Sequence, residues 1–188
     1  MDLKKAVEER HCCRKFISKK VSFNDISMIV DAARHAPSAG NIYSVKLILI
    51  SDSKTKLQLV DAAIGQEFIK DATYIIVVCS DPTETVRSYG TRAEIYTRQQ
   101  AGAAIENMLL RIQDLGLAGC WVGAFDEGTV KRLLHIPAYV QVEALIPVGY
   151  EFKKEIMTEK KIRKDIYKII NFEKWGIDYK LKGHVEAL

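Results

Sequence analysis

Cysteine is sparse and shows no metal-type spacing. Of the four, Cys12 and Cys13 are adjacent while Cys79 and Cys120 stand alone inside apolar segments, and none belongs to a C-x-x-C pair. A metal site of that kind is excluded, and free thiols in a reducing compartment are expected. Long apolar runs are missing too: IIVVC, Ile75 to Cys79, is typical of the longest, against the ~20 residues a membrane-crossing helix needs. The first residues, MDLKKAVEERHCCRKF, carry no apolar stretch of the kind a secretory signal requires, so a cytoplasmic location is expected and no membrane partner. Neither sign of charge dominates, with 28 Lys and Arg against 24 Asp and Glu, mixed along the chain for a net +4. That argues against a nucleic-acid partner and favours a small anionic ligand.

The 188 residues are 48% hydrophobic and 28% charged, the composition of a globular chain with a substantial core. Their number fits one domain, with or without arms, since domains run to about 100–200 residues. Only four prolines and eleven glycines punctuate the chain, with no repeat and no low-complexity linker. A short helix is expected over 2–10. Ser22, with an acid three residues on at Asp25, opens a second helix as a variant capping box, and Pro37 stops it. KLILI (46–50) and TYIIVVCS (73–80) are continuous enough to be buried strands, with a helix over 54–64 between them.

From 92 to 116 an apolar stripe of Ala101, Ala104, Ile105, Met108, Leu109, Ile112 and Leu115 predicts a central helix, with Gly116 at its C-terminus. A strand over 119–123, a helix over 127–135 capped by Asp126, and a last core strand over 140–150 complete the pattern. Strands alternating with helices predict an α/β sandwich whose sheet is covered on both faces.

Three separated segments are suited to chemistry. In R-H-C-C-R-K-F (10–16), Arg10 and Arg14 present planar, permanently charged donors fit for a phosphate. In A-P-S-A-G-N (36–41), small residues let backbone approach a flat ligand, with Ser38 and Asn41 as polar groups. In L-G-L-A-G-C-W-V-G-A-F-D (115–126), a strand ends at Gly123-Ala124 where unpaired N–H groups can face a ligand. Taken singly, each is equally an ordinary loop: a solvated basic stretch, a helix-stop loop and a tight turn. No nucleophile, metal cluster or acid–base pair stands out.

In this order, however, the segments resemble the nitroreductase family of flavin enzymes. The likeness runs from Arg10 to about Arg163, through R-H-x-x-R-x-F, A-P-S-x-x-N, the helix A-A-I-E-N-M-L-L (103–110), G-L-x-x-x-W-V-G-x-F-D (116–126), P-V-G-Y (147–150) and K-x-R (161–163). The resemblance implies an α+β fold with a central, mainly antiparallel sheet flanked by helices on both faces. It further implies a homodimer with FMN at the subunit interface. The implied activity is a ping-pong transfer of hydride from NADH or NADPH, through flavin N5, to a nitroaromatic, quinone or related small acceptor. Residues 1–170 would form the FMN-binding domain, and 171–188 an extension that packs on the partner subunit.

The same resemblance assigns roles. Arg10, Lys161 and Arg163 would bind the FMN phosphate, and His11 and Cys12 would lie along the phosphate and ribityl chain. Arg14 would face the N1/O2 edge of the ring, where a fixed cation favours the reduced flavin. Pro37, Ser38, Ala39 and Asn41 would reach the ring from the partner. The Gly123 N–H would approach N5 with Ala124 beside it, and Gln66 would contact the pyrimidine. The flavin carries the chemistry, and the protein supplies position and field.

The chain departs from the family pattern at several points. Cys12 stands where Ser is common, Ile42-Tyr43-Ser44-Val45 replaces x-Q-P-W, Gln100 takes the place of an acid, and Ala124 that of a glycine. Residues 84–97 correspond to a variable segment over the substrate face, where Tyr89 and Tyr96 either stack on an aromatic acceptor or simply pack. An FMN-binding module without rapid turnover, or a flavin-fragmenting or dehalogenating specialist of the same fold, is the alternative.

Overall fold

A computed structural model describes residues 1–152, 163–171 and 173–177. The chain forms two compact units, Met1–Lys153 and Lys154–Leu188. The first holds six α-helices: α1 (Leu3–Glu9), α2 (Phe23–Arg34), α3 (Ser53–Ala62), α4 (Thr83–Tyr89), α5 (Ala93–Asp114) and α6 (Glu127–Leu134). Its five strands are β1 (Phe16–Ile17), β2 (Val45–Ile50), β3 (Tyr74–Ser80), β4 (Ala118–Gly119) and β5 (Gln141–Glu151). They pair in the order β1-β5-β3-β2, with β4 also on β5, and every pairing of named strands is antiparallel. The α+β sandwich with a mainly antiparallel sheet is therefore observed.

The continuous apolar strands are buried on both sides, as their composition demands. Ile76 and Val78 of β3 and Ala144, Ile146 and Val148 of β5 pack with α2 and α5. Ile75, Val77 and Cys79, with Val142 and Leu145, pack with α3 and α6. In β5 the alternation changes parity because the register slips between Val78 and Cys79: Val78 opposes Ala144 while Cys79 opposes Val142. Glu143 is the extra residue of this bulge.

Ser22 caps α2 as expected: its Oγ accepts from the Asp25 N–H at 3.0 Å and donates to the Asp25 carboxylate at 2.7 Å. In α5, Ala101, Ala104, Ile105, Met108, Leu109 and Ile112 are buried, and Gly116 just beyond it takes φ +67. The expected strand over 119–123 is shorter: β4 ends at Gly119, and Val122 makes only an isolated bridge to Leu145. The expected strand at 46–50 begins one residue earlier, at Val45. Within 84–97 the chain is helical, in α4 and the start of α5. Among the described residues no helix is long and apolar enough to cross a membrane.

The second unit, among its described residues, contains a 3-10 turn at Ile166–Lys168 opened by the Asp165 side chain, which accepts from the Tyr167 N–H at 3.1 Å. Arg163 belongs to this unit and is exposed; Lys161 lies outside the described residues.

Candidate functional site

The N-terminal motif folds into a corner of the first unit. α1 stops at Arg10, whose N–H bonds Ala6 O at 3.0 Å, and the chain then runs extended. Cys12 bridges Gly119 in parallel, and the Cys13 N–H donates to Gly119 O at 2.9 Å. Phe16 and Ile17 then add to the end of β5. Gly149 makes this docking possible, because a Cβ there would lie 2.9 Å from Phe16 Cδ1. The two motifs R-H-x-x-R-x-F and P-V-G-Y are thus two sides of one packing contact.

Carboxylates hold the first basic residues of the corner. Arg10 Nε lies 3.1 Å from Glu106 Oε1 of α5. His11 Nε2 lies 2.8 Å from Glu151 Oε1 at the end of β5, and Nδ1 lies 3.0 Å from Glu9 O. Arg14 is exposed beside them. The Cys12 thiol is held well below its ordinary value, at about 5, chiefly by a hydrogen bond with the Cys120 thiol. The Trp121 backbone and the positive charges of Arg10 and Arg14 act in the same direction, against burial. The proton shared with Cys12, together with burial, pushes Cys120 up. Burial likewise raises Cys13.

The 115–126 segment forms the adjoining wall. Val122 exchanges backbone hydrogen bonds with Leu145, both at 3.0 Å, and the Asp126 N–H donates to Ala62 O at 2.7 Å before its carboxylate caps α6. Between these anchors Gly123 and Ala124 are exposed, and their N–H groups have no acceptor among the described residues. Gln66 braces the turn, its amide nitrogen donating to Ala63 O and Ala124 O, each at 2.9 Å. Cys12, bridged to Gly119, and Gln66, bonded to Ala124 O, are therefore both tied to the 115–126 segment, with Arg10 and His11 next to Cys12 in the chain.

The third segment is organised differently. Pro37 and Ser38 follow α2, and Ala39–Asn41 forms a 3-10 turn in which Gly40 and Asn41 take φ +57 and +60. A side chain at Gly40 would collide with the Tyr89 hydroxyl at the end of α4. Tyr89 meets Tyr96 edge-to-face at 5.1 Å, and the Tyr96 hydroxyl accepts from Arg92 Nε at 3.1 Å. The tyrosines thus support the turn. Arg34, His35, Ala36, Ser38, Asn41 and Tyr43 line a cleft of about 350 Å³ here.

Below the cleft lies a pairing that the sequence did not disclose. Gln100 is 4% exposed, and its Oε1 accepts from the Ser44 N–H at 3.0 Å and from Ser44 Oγ at 2.6 Å. Its Nε2 is buried without a partner among the described residues. Two departures from the family pattern, Ser44 at the proline position of x-Q-P-W and Gln100 in place of an acid, are halves of one polar contact. The available signal was the position of Gln100, four residues before Ala104 and eight before Met108 on the buried stripe of α5.

A profile of the nitroreductase family matches residues 7–66 and 56–150. A relative from Archaeoglobus fulgidus, provisionally named NADH dehydrogenase/NAD(P)H nitroreductase, is 29% identical over 150 residues, covering 78% of this chain and 83% of its own. Among solved structures, a nitroreductase family protein from Clostridium novyi NT superposes with a TM-score of 0.74 at 27% identity, over 95% of this chain and 97% of that one. The NADPH:FMN oxidoreductase of Vibrio harveyi, complexed with NAD+, shares the fold at a TM-score of 0.83 and 19% identity, over 92% of this chain and 77% of its own. With motifs, sheet and profile in agreement across residues 7–150, the chain belongs to the nitroreductase family of oxidoreductases.

Proposed function

We propose that the protein is a homodimeric, FMN-dependent oxidoreductase that takes electrons from NADH or NADPH and passes them to a nitroaromatic, quinone or related small acceptor. The observation that carries this is the meeting of the Arg10–Arg14 corner with the exposed Gly123–Ala124 turn, joined through the Cys12–Gly119 bridge. The donor set fits FMN: guanidinium groups for a phosphate and a ring edge, and outward N–H groups without acceptors among the described residues for a ring nitrogen. When bound, FMN supplies the hydride chemistry.

The chain's own residues do the rest. Arg10, oriented by Glu106, holds the phosphate end, while Arg14 places positive charge where reduction puts negative charge. The Gly123 N–H fixes the ring. Gln66 keeps the turn that presents it in place and offers Oε1 to the pyrimidine. Pro37, Ser38, Ala39 and Asn41, on a turn stiffened by Tyr89, face the ring of the partner subunit and close the site in the dimer. The name of the Vibrio harveyi structure supports the choice of FMN, and that of the Archaeoglobus fulgidus relative the choice of nucleotide.

Anaerobic titration tests the proposal. The purified protein should carry a flavin spectrum that NADH or NADPH bleaches and that a quinone or nitroaromatic restores. A colourless protein that takes up no added FMN would overturn it. Flavin that stays oxidised with both nucleotides would instead mark a binding module.

A further inference from the structure

Trp121 lies in the 115–126 segment, two residues before Gly123. Cys120 and Val122, on either side of it, are buried in the cluster with α3 and α6. Trp121 turns the other way, onto α5, and keeps 40% of its surface exposed. Its indole spans two glycines. At the six-membered end, Cη2 lies 4.0 Å from where a Cβ of Gly102 in α5 would be. At the pyrrole edge, Nε1 and Cδ1 lie 3.8 and 4.0 Å from the corresponding point at Gly123.

Both halves of the proposed flavin site border this indole. One helical turn on from Gly102, Glu106 projects from the same face of α5 and holds Arg10. Two residues beyond the Cys12–Gly119 bridge, on either segment, stand Arg14 and Trp121, both exposed. Trp121 therefore occupies the ground between the Arg10–Arg14 corner and the Gly123–Ala124 turn. Gly123 adds a second sign. Its φ is not left-handed, and a Cβ there would meet only the indole among the described residues, at ordinary contact distance. The missing Cβ thus leaves room beside the indole rather than relieving strain within the chain.

We propose that Trp121 is a further flavin-binding residue, its indole forming the surface on which the tricyclic ring rests. The inference deepens the flavin reading above and rests on it. Guanidinium groups and backbone N–H donors hold a flavin only at its polar rim. A broad aromatic side chain supplies what the rim cannot, dispersion and offset stacking against an extended π-system. The indole is also electron-rich. In contact with a photoexcited flavin it passes an electron to the ring and takes it back, with no net change, so the emission is quenched. A phenylalanine ring is too poor a donor to do this.

The test uses the full chain, freed of flavin and titrated with FMN, with emission as the deciding readout. Bound FMN should be nearly dark in the wild type and severalfold brighter in Trp121→Phe. The dissociation constant of the variant should rise about twofold to tenfold, the span of a lost aromatic stacking contact. Emission as dark as in the wild type would overturn the proposal, whatever the affinity, because Trp121 would then be packing alone. Wild-type chain labelled with 5-fluorotryptophan decides the matter even where the variant does not fold. Its Trp121 fluorine signal, assigned with Trp175→Phe, which replaces the other of the two tryptophans, should shift on addition of FMN and stay in place with inorganic phosphate. A signal that FMN does not move would also overturn the contact. A wild type that takes up no FMN removes the flavin reading and this contact with it. One that takes up FMN while Trp121 fails these readouts removes the contact alone.

Discussion

The corner at residues 10–17 and the turn at 36–44 are both loops that follow a helix, yet their polar groups are secured in opposite ways. At the corner, backbone pairings to Gly119 and to the end of β5 fix the path, and Glu106 and Glu151 hold Arg10 and His11. At the turn, the path depends on a left-handed glycine under Tyr89 and on one buried amide that satisfies Ser44 but leaves its own nitrogen without a partner among the described residues. The comparison separates a wall held by charge and backbone pairing from one held by side-chain packing and a single buried polar contact.

The largest expected break is at the turn. Gly40→Ala combines a left-handed backbone, costing roughly 1–2 kcal/mol, with a collision against Tyr89 costing about 1–3 kcal/mol. Chemical denaturation should show a loss of about 2–5 kcal/mol. Tyr89→Phe in the same chain should recover part of it, and a loss unchanged by that second substitution would break the picture of a tyrosine-supported turn. The matching change at the corner is Arg10→Ala. Charge-assisted hydrogen bonds are worth roughly 1.5–3 kcal/mol, so the dissociation constant for FMN should rise about tenfold to a hundredfold with the fold intact. Unchanged flavin retention would remove Arg10 from the site.

Gln100→Leu sharpens the contrast. It relieves the unpartnered nitrogen but strands the Ser44 N–H and hydroxyl, so a net loss of about 1–2 kcal/mol is expected, smaller once Ser44→Ala is added. The smallest effect concerns pH. Cys12 is held at about 5 against an ordinary 9.0, so between those values the unfolded chain binds a proton that the native chain does not. Native stability therefore gains as pH rises through this window and loses the gain as pH falls towards 5. Denaturation of wild type and Cys12→Ser at pH 5, 7 and 9 should diverge in that direction, modestly because the thiol is exposed.

Much of this was legible in the sequence. The Ser22–Asp25 cap, the apolar strands 46–50 and 73–80 and the stripe of α5 are local signals, and the structure places each where periodicity put it. The ordered motifs single out Arg10, Gly123 and their neighbours as candidates for the site. Other features depend on tertiary context. β1 is two residues long and exists because β5 offers an edge and Gly149 leaves room for Phe16. α4 buries only Thr85 and so carries no apolar stripe to recognise. Ser44 and Gln100 sit far apart in the chain, and no local rule pairs them. Gln66 drew notice as a ring contact, whereas its amide nitrogen is spent on holding the Ala124 turn.

The bulge at Glu143 has a consequence for how this chain tolerates insertion and deletion. It acts as a phase shifter, letting Val142 and Leu145 serve the same layer although they are an odd number of residues apart. Deleting Glu143 itself would leave Val142 and Leu145 two residues apart and still in one layer, whereas deleting a residue of β5 outside the bulge, where alternation is strict, would turn one side of the strand inside out.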